Sequence, residues 1–190
     1  MNEIDHVRLK ERKGSSQILV HVLKASNLPV RCDQTPLEAF VEVSFVDEKC
    51  RSRCEEGSSP AFFQSLAVDF APLDFEEDTL SIIDDDIVLV IFDKVKVDML
   101  PSMVARSVTP QITNYRTERR YLGCVRIPFY SLFNSVDAAI EGTFDVDVPR
   151  WVNGYQLQPV TTHSRPSLHM HVYLKPPLRK TKSHPLHNRS

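Results

Sequence analysis

Only five glycines punctuate the 190 residues: Gly14, Gly57, Gly123, Gly142 and Gly154, no two closer than 12 positions. That scarcity removes the dinucleotide fingerprint G-x-G-x-x-G, the phosphate loop G-x-x-x-x-G-K-[ST] and the nucleophile elbow G-x-S-x-G. No secretory leader is expected either, because Glu3, Asp5, Arg8 and Lys10 interrupt the first ten residues. The longest stretch without charge, 151–164, is polar and too short to cross a bilayer. Cysteine is sparse, with Cys32, Cys50, Cys54 and Cys124 in a chain of this length, and without a leader they read as reduced thiols of a cytoplasmic protein. Charge of neither sign dominates: 23 basic against 25 acidic residues leave a net charge of -2, which calls for no nucleic acid partner.

What is present is alternation. With 42% apolar and 25% charged residues the chain has the make-up of one globular domain with some unstructured extra length. Runs of period two put large apolar residues on one parity, as half-buried strands do. They fall at 18–23, 40–46, 65–70, 87–92, 121–128, 143–148 and 168–174, with a weaker run at 49–53. The run 87–92 is apolar throughout, which predicts a central strand covered on both faces. No long amphipathic helix exists; 131–133, 136–140 and 112–120 have room for a turn or two. Eight short strands with polar, proline-marked connections predict an all-β antiparallel sandwich.

The organisation expected is a flexible N-terminal segment 1–16, a sandwich 17–175 and a disordered basic tail 176–190. Within the sandwich, 94–120 is expected as an inserted loop of 27 residues, well past the ~15 at which loops are usually functional or disordered. It mixes Met99, Leu100, Met103, Ile112 and Tyr115 with cations, a composition suited to ordering on a protein partner. In the tail, Lys175, Arg179, Lys180 and Lys182 are candidate contacts to anionic lipid; at about 1 kcal/mol each they supply roughly 4 at best.

Chemistry is thinly represented. His169 and His171 share one face of a strand, where two rings could reach one zinc ion, yet that face is the solvent side and no C-x-x-C accompanies them. No nucleophile sits in an activating turn and His-Glu-x-x-His is absent; a triad assembled by the fold leaves no mark in spacing. The chain therefore reads as no enzyme, with no cofactor.

The succession Ala25-Ser26-Asn27-Leu28-Pro29, Phe40-Val41-Glu42-Val43, Ser59-Pro60, Ile91-Phe92-Asp93, Leu122-Gly123 and Ile127-Pro128 resembles a C2 domain in order and spacing. The resemblance implies an eight-stranded antiparallel sandwich. Calcium-binding C2 domains carry several aspartates in two loops at one end; the corresponding positions are Glu38, Asp93 and, one residue out of register, Asp33. Val95 stands where a second loop aspartate belongs. Two or three carboxylates cannot supply the 6 to 8 oxygens that calcium requires, so no metal is expected.

Further segments narrow the resemblance: Cys54-Glu55-Glu56-Gly57-Ser58-Ser59-Pro60, Arg119-Arg120-Tyr121-Leu122-Gly123-Cys124-Val125-Arg126-Ile127-Pro128-Phe129 and Gly142-Thr143-Phe144-Asp145-Val146-Asp147-Val148-Pro149. Over roughly 18–155 these are similar to the C2 region of the coiled-coil and C2 domain-containing protein 2 family. That family implies a scaffold role in ciliary transition zone assembly and ciliogenesis, with B9-domain and tectonic proteins as partners and the transition zone or basal body as location. No heptad repeat occurs, so the family's coiled coil is expected to lie outside this chain, which reads as a fragment, short isoform or reduced relative.

Overall fold

A computed structural model describes residues 16–70, 80, 83–98, 115–157 and 165–175. Two antiparallel sheets face each other. The first has the order β6-β1-β11-β9, built from β1 (Ser16–Ser26), β6 (Ala61–Phe70), β9 (Ala139–Asp145) and β11 (Ser167–Lys175). The second has the order β4-β3-β7-β8, from β3 (Glu38–Phe45), β4 (Glu48–Arg51), β7 (Asp86–Asp98) and β8 (Tyr115–Pro128). Three two-residue strands complete it: β5 (Glu55–Glu56) on β3, and β2 (Val30–Arg31) paired with β10 (Tyr155–Gln156). The eight longer strands are the sandwich that the alternation predicts.

The core fills the gap between the sheets. Ile18, Val20, Val22, Met170 and Val172 from the first sheet meet Val41, Val43, Phe45, Leu89 and Ile91 from the second. Between Val22 and Lys24 a bulge shifts the register of β1 against both neighbours, and this extra residue returns Ala25 to the buried side. One end is closed by a short helix, α1 (Phe129–Asn134), which buries Phe129, Leu132 and Phe133. At the same end Pro128 pairs with Asp86 at the start of β7; Asp93, further along that strand, lies towards the opposite end of the barrel-less stack, beside the start of β3.

Three expectations are corrected. The interval 94–120 is not a loop throughout: β7 continues to Asp98 and β8 begins at Tyr115, with Lys94↔Arg119, Val95↔Glu118, Lys96↔Thr117, Val97↔Arg116 and Asp98↔Tyr115 in register. A ribbon with both faces near solvent needs no apolar parity, so its charged residues concealed it; the possible helix over 112–120 is strand from Tyr115 on. Ser16, assigned to the N-terminal segment, pairs with Phe70 inside β1. The strand at 87–92 is central, yet only Ile87, Leu89 and Ile91 are buried, while Val88, Val90 and Phe92 on the outer face are half-buried. The remainder of the expected loop, 99–114, and the tail 176–190 lie outside the described residues.

Gly123 is dictated by close packing. A Cβ there would stand 2.6 Å from Val146 Cγ1 and 2.8 Å from the Asp147 carbonyl oxygen, because Cys124 and Asp147 exchange backbone hydrogen bonds of 3.0 and 2.8 Å across that spot. Gly123→Ala is expected to cost about 1–3 kcal/mol as an overpacked site, read as a lower urea midpoint with an unchanged slope.

Candidate functional site

Asp93 continues the buried parity of Ile87, Leu89 and Ile91, and its side chain is 0% exposed. A carboxylate is tolerated there because its oxygens are fully engaged. Arg31 donates through Nε to Oδ2 at 2.6 Å and through Nη2 to Oδ1 at 2.7 Å, a two-pronged contact. The Glu38 N–H donates to Oδ1 at 3.0 Å, and the Tyr155 hydroxyl to Oδ2 at 2.5 Å. Arg31 also donates through Nη2 to the Lys94 carbonyl at 3.1 Å and through Nη1 to Thr35 Oγ1 at 3.0 Å. Pairing of β2 with β10 sets Arg31 opposite Tyr155, and the Cys32 N–H donates to the Gly154 carbonyl at 2.9 Å.

The electrostatics follow from this packing. The hydrogen bond to Asp93 holds the Arg31 guanidinium above its ordinary range. Burial, reinforced by the bond to Asp93, pushes the Tyr155 phenol up to about 12. A folded-state value above the unfolded one of about 10 means that stability is present below pH 10 and is lost as pH rises towards 12. Tyr155→Phe is therefore expected to flatten part of the alkaline fall in melting temperature between those limits; Tyr121, also raised to about 12 by burial, keeps the rest.

The three calcium-loop positions do not converge. Asp93 is consumed by Arg31 and Tyr155. Asp33 Oδ1 accepts from the Thr35 N–H at 3.0 Å and the Thr35 hydroxyl at 2.7 Å, which lowers its carboxyl below the usual range. Glu38 reaches Lys94 Nζ at 3.7 Å. Among the described residues no group of three His, Cys, Asp or Glu side chains is placed to hold a metal. Calcium does not fit here: Asp93, the one buried carboxylate among the described residues, already has a guanidinium against it.

Of the expected partner-binding residues, Met99, Leu100, Met103 and Ile112 lie outside the described residues; Tyr115 is an exposed strand residue with Lys96 Nζ 5.8 Å from its ring centre. Lys175 ends β11 opposite Gln17, and Arg179, Lys180 and Lys182 are outside the described residues. His169 Nδ1 lies 3.0 Å from Thr143 Oγ1, and His171 stacks on His21 with ring centres 6.0 Å apart.

Sequence reasoning missed Arg31 and Tyr155. The one available hint was Val95: losing a second loop aspartate while Asp93 stays calls for another cation beside it. It also missed a groove of about 470 Å³ lined by Arg51, Arg53, Lys94 and Arg119 together with Phe40, Ser52, Cys54, Gln64 and Thr117. Among the described residues no carboxylate lines it, although Glu42 reaches Arg119 at 3.0 Å and Glu38 reaches Lys94 at 3.7 Å from outside. Burial pushes the Cys54 thiol up, against the pull of Lys94 and Arg51.

No family model matches the sequence. The human Protein CC2D2B is 31% identical over 118 residues, 61% of this chain and 8% of that protein's length. Solved structures share the architecture: CC2D1B at 16% identity, TM-score 0.51, over 91% of this chain and 60% of that one, and Extended-Synaptotagmin 2 at 14%, TM-score 0.50, over 85% and 28%. Human GIVD cytosolic phospholipase A2 matches at 14%, TM-score 0.50, over 86% and 17%. The chain has the C2-type β-sandwich fold, and part of it is similar in sequence to the coiled-coil and C2 domain-containing protein CC2D2B.

Proposed function

We propose that this domain is a non-catalytic, calcium-independent interaction module, a scaffold component in ciliary transition zone assembly and ciliogenesis that contacts B9-domain and tectonic proteins from the cytoplasmic side. The calcium-independent part is carried by one observation, the engagement of Asp93 by Arg31 and Tyr155. The ciliary part is supported by the similarity to CC2D2B. Proximity labelling of the tagged chain in ciliated cells tests it: transition zone proteins are expected among the labelled set, and their absence sinks the ciliary reading. Deleting 99–114 is expected to leave melting unchanged and to reduce that labelling.

A second reading is favoured by the groove. Arg51, Arg53, Lys94 and Arg119 around one concavity suit an anionic headgroup, such as a phosphoinositide, on a peripheral membrane. The paired change Arg51→Glu with Arg53→Glu reverses two exposed charges. It is expected to reduce flotation with phosphoinositide-containing vesicles by at least about tenfold, equally in calcium and in chelator. Flotation that rises with calcium would count against both readings.

A further inference from the structure

We infer that Arg31 is an internal replacement for a divalent ion: a positioning residue whose guanidinium ties the loop end together and so holds the segment 150–157, with its single tryptophan, in place without any bound metal. Four stretches of chain converge on the Arg31–Asp93 contact. Arg31 comes from β2, the Glu38 N–H from the start of β3, Asp93 and the Lys94 carbonyl from β7, and the Tyr155 hydroxyl from β10. A doubly charged ion in such a place would draw the same kinds of oxygen inward, but a planar guanidinium has several donors in fixed directions and can meet a carboxylate, a carbonyl and a hydroxyl at once.

The exposed consequence is the 150–157 segment. Trp151 is 93% exposed, and beside it Pro29, Pro149, Val152 and Leu157 frame a shallow recess of about 170 Å³. Such a segment has little core to hold it. Its order comes from Tyr155 on Asp93, from the Cys32 N–H on the Gly154 carbonyl, from the two-residue pairing of β10 with β2 and from the local turn in which the Tyr155 N–H donates to the Val152 carbonyl at 3.0 Å. The first two of these lead straight to Arg31 or its neighbour. The display of Trp151 is therefore constitutive, set by a side chain and independent of ion concentration.

Hydrogen exchange of the full chain tests this. In the native chain, exchange of the Cys32 and Tyr155 amides is expected to be the same in millimolar calcium and in chelator. In Arg31→Ala those two amides are expected to exchange at least about tenfold faster while the β1 and β11 amides stay protected, as a local opening requires. Methylguanidinium added to Arg31→Ala is expected to restore the protection, and Arg31→Lys is expected not to restore it, since an ammonium cannot span the same acceptors. Should Arg31→Ala fail to fold, Tyr155→Phe cuts the tether and leaves the ion pair; the Tyr155 amide is then expected to loosen alone. Native-like exchange at 150–157 in whichever of the two variants folds overturns the inference, as does calcium-dependent protection in the native chain.

Discussion

Asp93→Ala is expected to destabilise the domain by about 3–5 kcal/mol, the range for breaking a buried ion pair from one side. The change leaves the Arg31 guanidinium, 13% exposed, without its counter-charge, and strips acceptors from the Tyr155 hydroxyl and the Glu38 N–H. Urea unfolding is the measurement, with an unchanged slope showing that the loss lies in the folded state. The pair itself is worth less than the single change suggests, because desolvating both charges offsets much of their attraction. The combination Asp93→Leu with Arg31→Met is accordingly expected to lose less than Asp93→Ala alone. A double variant no better than the sum of the singles would show that the two side chains do not act as a unit.

Phe129→Ala is expected to cost a similar 3–5 kcal/mol at the other end of the sandwich. Phe129 is 0% exposed and its ring lies 5.2 Å from that of Phe45, 5.6 Å from Phe70 and 6.4 Å from Phe133. It thereby joins β3, β6 and α1, and a helix of six residues with no side-chain cap has little stability apart from this packing. The loss should appear in the urea midpoint, while the exchange of the Cys32 and Tyr155 amides relative to the global limit stays as it is. A cost under about 1 kcal/mol would mean that the aromatic cluster collapses readily around the gap.

Much of the architecture was legible in the chain because it rests on local pattern. Strand position follows from period-two alternation, as in Phe40-Val41-Glu42-Val43, where the register with β7 buries Val41 and Val43 as expected. The same rule failed at 94–98 and 115–120, where pairing between two strands satisfies the backbone and no buried face exists to impose a pattern. It also overstated the covering of β7, since Val88 and Val90 are half-buried with no third layer over them among the described residues.

By itself, then, the sequence determined the eight strands along the chain, their antiparallel sandwich class, the poverty of the loop carboxylates and the likeness to C2 domains. Only the tertiary structure decided what Asp93 does. Arg31 stands 62 residues before it and Tyr155 62 residues after it, and neither separation carries any periodic mark. They meet because β3–β7 and β2–β10 pairing delivers a guanidinium and a phenol to a fully buried carboxylate, where an unneutralised charge could not be kept. The groove of Arg51, Arg53, Lys94 and Arg119 arises the same way, from strands far apart in the chain.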